Sequence, residues 1–197
     1  MRQTKTDVAF DSDAMLLEDA RRGRGEALAL LVARHRDAVH VIVRNLLAAV
    51  AGVAAVTQDT FATAFCSFHA KPEERPFKIW LYGIAVQKAL LKRRLHRHAT
   101  RGTLDAFLPR FDRNGQLVPA VSYKCAIDGP PKHDVTLVLR ETLELMDEPT
   151  RVAFVVRDLL ELSVDEAACV VESSPGEIRR RTHRARLVLR AAVERLL

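Results

Sequence analysis

The chain has 197 residues, of which 48% are hydrophobic and 6% aromatic, and its formal net charge is +6. This length suits one large or two small domains, and the low aromatic content favours helical domains over a β-sandwich. No stretch reaches the roughly 18 apolar residues of a membrane span, and the first residues lack the apolar run of a secretion signal. We therefore expect a cytoplasmic protein without membrane insertion. The positive charge fits a polyanionic partner, and it equally fits ordinary solubility charge.

The cysteines and histidines do not form a recognisable metal motif. Three cysteines, Cys66, Cys125 and Cys169, lie far apart in the sequence. A scattered, odd set of this kind predicts reduced thiols, with no structural disulfide and no zinc site. His96 and His98 flank a single residue in a basic tract. We expect neither a metal nor a cofactor.

Residues 12 to 99 are predicted to form helices with short breaks. Gly23 and Gly25 end the first helix, because glycine is a poor helix former. Apolar residues then recur at helical spacing over residues 26–48, and a third helix is predicted over 53–68.

The fourth predicted helix runs from Phe77 to His98 and is apolar first and basic at its end. Rings beside cations suit single-stranded nucleic acid, because bases stack on the rings while cations bind phosphates. The residues concerned are Phe77, Trp80, Tyr82, Lys88, Lys92, Arg93, Arg94 and Arg97. Trp80 also has the spacing of a core residue, and the core interpretation is the favoured one for that side chain.

Residues 99–133 change in character, with four prolines, Pro109, Pro119, Pro130 and Pro131, and no sustained periodicity. A structureless segment of this length is unusual inside one compact domain. We therefore predict a flexible linker between a domain at residues 1–98 and a second at residues 134–197.

The second domain is predicted to end in a helix-turn-helix. Ser163 and Glu166 form a capping box for a short helix, and Ser174 caps a longer helix that begins with Pro175. The first turns of the longer helix would enter the DNA major groove, where Arg179 and the adjacent arginine could contact guanine or phosphate. A merely solvated, arginine-rich terminal helix is the alternative.

Several segments, taken in order, resemble the extracytoplasmic-function group of bacterial sigma factors. In the first half these are GRGEALALLVARH at 23–35, TQDTF at 57–61 and PFKIWLYGIA at 76–85. In the second half they are LSVDEAA at 162–168 and SPGEIRRRTHRARLVLR at 174–190. The resemblance implies an all-α protein, with a four-helix domain like sigma region 2, a flexible linker and a helix-turn-helix domain like sigma region 4. It also implies core RNA polymerase and promoter DNA as partners, with an anti-sigma factor as a further possible partner.

The resemblance assigns roles by position. On the helix that would bind the polymerase clamp lie Gln58, Asp59 and Phe61. The residues that would hold the opened strand of the −10 element are Phe68, His69, Lys71, Trp80, Gln87, Lys88 and Lys92. Those that would face the −35 duplex are Ser174, Glu177, Arg179, Arg180, Arg181 and Arg184.

The chain departs from the family pattern at several of these segments. The acidic residues that are common before TQDTF are replaced by alanines, and Asn and Asp on the fourth helix are replaced by Gln and Leu. A Leu-Pro pair that is usual before the second C-terminal helix is Met-Asp here. The glycine that is usual in the DNA-binding turn is a glutamate. The positions are Ala54, Ala55, Gln87, Leu91, Met146, Asp147 and Glu172. A glutamate forced to positive φ in the turn would cost roughly 1–2 kcal/mol. These departures bear on the strength of polymerase and DNA binding.

Three other interpretations compete with a sigma factor. A helix-turn-helix regulator that never touches polymerase would explain the second half alone. A degenerate sigma-like interaction module would explain the alanines at 54 and 55. An enzyme is disfavoured, because the sequence has no glycine-rich phosphate loop and no catalytic site motif. The carboxylates of Asp11, Asp13, Asp165 and Glu166 are interpreted as caps or surface charges.

Overall fold

The structure is a computed structural model. It describes residues 5–47, 51–67, 71–72, 74–104, 110–111, 117–118 and 135–194, with side chains for 13–47, 51–67, 71–72, 74–96 and 137–193. The first four helices are α1 (Lys5–Arg21), α2 (Gly25–Leu47), α3 (Val53–Ser67) and α4 (Phe77–Leu104). The second half contains α5 (Val135–Leu145), α6 (Glu148–Phe154), α7 (Val164–Val171) and α8 (Pro175–Glu194). A π-helical turn, Val155–Leu159, continues α6.

The described part of the chain is all-α apart from one small hairpin, which confirms the predicted fold class. The two-residue strands β1 (Arg110–Phe111) and β2 (Leu117–Val118) pair antiparallel, with Phe111 opposite Leu117. They lie within the predicted linker, and α4 also extends into it as far as Leu104. None of the helices in the described ranges is long and apolar enough to cross a membrane.

The first half is a bundle around α2 and α4. The apolar stripe of α2 is buried, with Leu31, Val39 and Ile42 fully inaccessible, and it packs against α3 and α4. Gly23 has a φ of 84° where α1 ends, and Gly52 has a φ of 108° just before α3. These left-handed conformations suit glycine because it has no Cβ, so the predicted break after the first helix is confirmed.

The second half has a small core of its own where α5 and α6 pack on α8. Leu143, Met146, Ala185 and Leu189 form this core. Beside it, Arg151 is 2% exposed and donates hydrogen bonds to the backbone carbonyls of Leu143 and Glu144. The buried guanidinium thereby satisfies carbonyls at the end of α5 that have no partner within the helix.

A larger apolar core continues from the first half into the second. Buried residues of α2 and α4 form one cluster with Val155, Val156 and Leu162 of the second half. α4 and α7 meet at Gly83, where an added Cβ would lie 3.5 Å from the carbonyl oxygen of Val170. The halves are therefore packed against each other in this structure. The division into domains at residues 1–98 and 134–197 stays a prediction.

The sequence-based interpretation of one carboxylate is wrong, and two leucines of the second half are open to solvent. Leu187 is 53% exposed and Leu145 is 88% exposed. Asp13 was expected on the surface but is 7% exposed. Its carboxylate accepts a hydrogen bond from Arg34 and lies 2.8 Å from Nε2 of His35. Asp13 therefore attaches α1 to the buried side of α2.

Candidate nucleic-acid and polymerase surfaces

α7 and α8 form the predicted helix-turn-helix, and both predicted caps are present. The Ser163 hydroxyl accepts from the Glu166 backbone N–H at 3.1 Å, and the Glu166 carboxylate accepts from the Ser163 N–H at 2.8 Å. The Glu177 backbone N–H donates to Oγ of Ser174 at 3.2 Å. Ile178 is fully buried and anchors α8 beneath the turn. These caps fix where each helix begins, and the buried side fixes which face of α8 points outward.

Glu172 ends α7 in the left-handed conformation, with φ 55° and ψ 50°. A glutamate stands here where the resembled family usually has a glycine. Its positive φ confirms that the turn requires a residue in the left-handed conformation. A residue with a Cβ is disfavoured there because its side chain crowds its own backbone. The Glu172 carboxylate forms an ion pair with Arg75 at 3.4 Å.

The predicted duplex-facing residues share the first turns of α8. Arg179, Arg180 and Arg184 are exposed, whereas Arg181 is partly buried. Glu177 forms ion pairs with both Arg180 and Arg181, the second at 2.6 Å. The hydrogen bond from Arg180, together with the charges of both arginines, lowers the pKa of Glu177. Glu177 therefore stays ionised and orders two guanidinium groups at the surface.

A concave, basic surface lies between the start of α6 and these arginines. Its cavity volume is about 320 Å³. It is lined by Asp147, Pro149, Thr150, Glu177, Arg180, Arg181 and Arg184. Asp147 caps α6 by accepting from the Thr150 backbone N–H at 3.1 Å. Burial raises the pKa of Asp147, but the bonds with Thr150 and the charge of Arg184 outweigh it and lower the pKa.

Arg186 has a different role from the arginines before it. Its Nε and Nη2 donate to the two carboxylate oxygens of Asp158, at 2.8 Å and 2.6 Å. This bidentate geometry fixes α8 to the end of the π-helical turn. In this structure the Arg186 side chain is therefore engaged within the second half.

The first half has a groove between α3 and α4 with a volume of about 370 Å³. It is lined by Thr63, Ser67, Trp80, Ile84, Gln87, Lys88 and Leu91. Trp80 is partly buried and lies beside Phe77, with ring centroids 6.1 Å apart. Its ring thus packs on the core and also lines the groove, so both interpretations of this residue apply. Gln87 and Lys92 are exposed along the same helix.

Lys88 links this groove to the candidate polymerase-binding helix. Its Nζ lies 2.7 Å from Oδ2 of Asp59 on α3. Gln58 and Asp59 are exposed, as a binding surface requires. Phe61 is only 6% exposed and packs near Phe65, with ring centroids 6.1 Å apart. A direct polymerase contact through the Phe61 ring is therefore disfavoured, whereas Gln58 and Asp59 can make one.

Part of the predicted base-capturing loop can be placed. Phe68 and His69 lie outside the described residues. The Nζ of Lys71 donates to the carbonyls of Pro72 and Arg75, each at 2.8 Å. These bonds close the loop before α4, so Lys71 organises the loop backbone in this structure.

Sequence reasoning missed a buried polar network in the first half. Asp13 and His35 are joined as described above, and the Tyr82 hydroxyl lies 3.5 Å from Nδ1 of His35. Burial raises the pKa of Tyr82 to about 12, and nearby Asp13 and Glu166 add to the effect. The signal available in the sequence was a histidine on an otherwise apolar helix stripe, which requires a buried partner.

Thiols and metal ligands add no further site in the described ranges. Cys66 and Cys169 are free and exposed. No group of three His, Cys, Asp or Glu side chains in the described ranges could hold a metal ion. Cys125 and His133 lie outside those ranges, so the expectation of no disulfide and no zinc stays a prediction.

Comparisons with known proteins agree with this geometry. The chain matches the family model for Sigma-70, region 4, over residues 136–189, which span α5 to most of α8. It is 28% identical over 194 residues to the ECF RNA polymerase sigma-E factor of Escherichia coli strain K12, covering 94% of this chain and 96% of that protein. It is 29% identical over 188 residues to the RNA polymerase sigma factor CnrH of Cupriavidus metallidurans, covering 93% of this chain and 95% of CnrH.

Solved structures give the same result over nearly the whole chain. The structure of CnrH in complex with the cytosolic domain of CnrY is similar, with a TM-score of 0.66, 25% identity and 93% of this chain covered. Over nearly its whole length the chain is similar to sigma factors of the extracytoplasmic-function group. The sigma factor RpoE of Bartonella quintana, in complex with the anti-sigma factor NepR, shares the fold, with a TM-score of 0.56 and 17% identity over 84% of this chain. The region 4 match and the full-length relatives support a sigma factor that directs RNA polymerase to promoters.

Proposed function

We propose that the two basic surfaces of this sigma factor read two different forms of promoter DNA. The helix-turn-helix with its exposed arginines fits duplex DNA, because a helix N-terminus enters the major groove and its arginines reach guanine or phosphate. The groove between α3 and α4 fits an opened strand, because it offers Trp80 for stacking and Lys88 for a phosphate. The observation that carries the proposal is that one chain holds both surfaces on separate helices, α8 and α4.

We infer that the arginines of α8 contact DNA in two different ways. Arg179 and Arg180 lie within two turns of the Ser174 cap and are the candidates for base contacts. Arg184 lies further along, beside the start of α6, and is the candidate for a phosphate contact. A bidentate contact with guanine discriminates by about 1–3 kcal/mol, whereas one phosphate contact changes the salt slope by about one unit without sequence preference.

The test is binding of the full chain to a randomised duplex library at two salt concentrations. Arg179→Ala or Arg180→Ala is expected to flatten the preference at one or two base positions. Arg184→Ala is expected to weaken binding to all sequences alike, and Arg190→Ala, near the far end of α8, is the matched control. If Arg184→Ala changed the base preferences and the other two did not, α8 would be docked differently.

We further infer that the exposed side of α3 contacts core RNA polymerase through Gln58 and Asp59. Gln58→Ala is expected to weaken binding to core enzyme severalfold without changing the melting temperature, because the side chain is exposed. Ala54 and Ala55 are also exposed on this helix. Ala54→Glu is expected to strengthen binding, since an acidic residue is usual there in the family. A folded Gln58→Ala variant that binds core enzyme like the wild type would reject the assignment.

Binding alone accounts for this function, and we infer no catalytic activity, no cofactor and a cytoplasmic location. The solved relatives in complex with CnrY and NepR lead us to propose that an anti-sigma protein also binds this chain. Transcription from a promoter library by core enzyme with and without the chain is the deciding experiment. Specific transcripts are expected only with the chain. A DNA-binding regulator or a sigma-like interaction module would give none.

A further inference from the structure

Among the described side chains, three ion pairs join the halves, and each has its cation on the first half and its carboxylate on the second. Arg75 lies just before α4, and Lys78 and Arg94 lie on α4. Their partners are Glu172 at 3.4 Å, Glu166 at 3.1 Å and Glu148 at 2.6 Å, in the same order. The three carboxylates come from separate elements, which are the helix-turn-helix turn, the first turn of α7 and the start of α6. A polarity that repeats in all three pairs sets this contact apart from a random surface contact.

The three cations lie on α4, which carries most of the candidate strand-binding residues, or just before it. Arg75 and Lys78 flank the beginning of α4, next to the loop closed by Lys71, and Arg94 lies in its basic end. A nucleic-acid backbone following α4 would bring phosphates to the same positions. In this structure, where the halves are packed together, carboxylates of the second half occupy those positions.

The apolar contact between the halves is extensive, but it leaves a gap at one edge, next to Glu148 and Glu172 of the ion pairs. A cleft of about 240 Å³ remains between α4 and the second half. Its lining includes Val86 and Leu90 on one side and Val152, Val170 and Val171 on the other. Poorly filled space loses dispersion contacts, which lowers the cost of separating the two surfaces.

Glu172 is the most telling of the three carboxylates. It holds a left-handed conformation that glycine would adopt without strain, and its side chain reaches Arg75 of the other half. Strained residues persist where the surroundings or the function require them. A glycine would satisfy the turn but could not form this ion pair.

We propose that the three ion pairs form a latch that closes the two halves of the chain, and that nucleic acid opens it by competing for the cations. Free sigma factor then resides mostly in the closed form, in which Arg75, Lys78 and Arg94, on and beside the strand-binding helix, are neutralised by carboxylates of the second half. The identity of the competitor rests on the function proposed above, whereas the latch itself does not.

The latch can be measured as a distance in the full chain. Cys66 on α3 and Cys169 on α7 are natural, exposed thiols, one on each half. With Cys125→Ser as background, nitroxide labels on these two report the separation of the halves by pulsed electron resonance. One narrow distance distribution is expected at low salt. Gly83→Leu supplies the open reference, because its side chain would collide with the backbone of α7 at Val170.

Neutralising the latch is expected to broaden the distribution toward the open reference. The variant carries Glu148→Gln, Glu166→Gln and Glu172→Gln, and the open-to-closed ratio should rise roughly tenfold for three exposed or half-exposed pairs. Gln at 166 can still form the capping box, so α7 keeps its start. Glu161→Gln is the matched control, because Glu161 is also left-handed with φ 53° but belongs to none of the three pairs.

A charge swap decides the matter even if the triple variant folds poorly. Glu148→Arg alone should open the halves, and Arg94→Glu added to it should close them again. Titration of the wild type with a random single-stranded 20-nucleotide oligomer should also open it, and high salt should do the same. A triple variant or single reversal that keeps the narrow wild-type distance would overturn the latch. A wild type that stays closed at saturating oligomer would overturn the competition, while leaving sigma activity in transcription untouched.

Discussion

Replacing Glu172 by glycine should stabilise the chain, although it removes an ion pair. The left-handed conformation costs a residue with a Cβ about 1–2 kcal/mol. Glycine offsets about 0.4–1 kcal/mol of this gain in stability, because it raises the conformational entropy of the unfolded chain. The lost pair with Arg75 is worth a few tenths of a kcal/mol at most, since the Glu172 side chain is 64% exposed. The net expectation is a gain of about 0.5 kcal/mol.

Glu172→Gln is the matched variant, because it keeps the strained backbone and loses only the charge. For a chain of this length, 1 kcal/mol corresponds to about 2–4 °C in melting temperature. Glu172→Gly should therefore melt about 1–2 °C higher than the wild type, and Glu172→Gln slightly lower. Differential scanning calorimetry at one pH and salt concentration measures both shifts.

The two variants should agree in the distance measurement, although they differ in stability. Both lack the carboxylate that reaches Arg75, so both should shift the halves toward the open form. Equal melting shifts of the same sign for Glu172→Gly and Glu172→Gln would refute the reasoning, because backbone strain would then play no part. A glycine variant that melted higher and stayed closed would show that the strain is real and the ion pair irrelevant to closure.

Two buried groups and the tryptophan of the α3–α4 groove give three further expectations. Burial raises the pKa of Asp13, but the hydrogen bonds and charges of His35 and Arg34 outweigh it and hold the pKa below its ordinary value of 3.8. Asp13 therefore stabilises the fold above that pH. The difference in the free energy of unfolding between wild type and Asp13→Asn should shrink as urea unfolding is repeated at pH values falling progressively below 3.8. Arg151→Met should lower the free energy of unfolding by about 2 kcal/mol in the same assay, because two buried carbonyls lose their donor. The fluorescence of Trp80, the single tryptophan, should be quenched by single-stranded DNA, and quenching that Lys88→Gln leaves unchanged would argue against the α3–α4 groove.

Local signals in the sequence were sufficient for the helices and their ends. The capping box of Ser163 and Glu166 and the Ser174 cap each depend on residues within three or four positions of one another. The left-handed Glu172 was instead expected from the glycine that is usual there in the resembled family. The exposed arginines at the start of α8 follow from the same local rules, once Ile178 marks the buried side. Such features are predictable because the backbone geometry of a helix or turn fixes which neighbours can meet.

Tertiary structure decided everything that depends on distant partners. Helical spacing placed Phe61 on a plausible binding helix, but only the packing of α3 shows its ring in the core. Asp13 became a buried partner of His35 because α1 packs on α2, and Arg186 became a structural residue because Asp158 faces it from the π-helical turn. A sequence pattern says that a side chain is charged and roughly which face it occupies, not which opposite charge a separate helix brings to it.

The same distinction separates the family from the behaviour of this chain. Motifs spread along the sequence were enough to identify a sigma factor, because each motif is a short run whose order is preserved. The closed contact between α4 and α7 brings Lys78 to Glu166, residues 88 positions apart. No periodicity encodes that contact. It arises because two amphipathic halves have apolar surface left to bury after each has formed its own helices, and the tertiary packing alone determines which charges then meet.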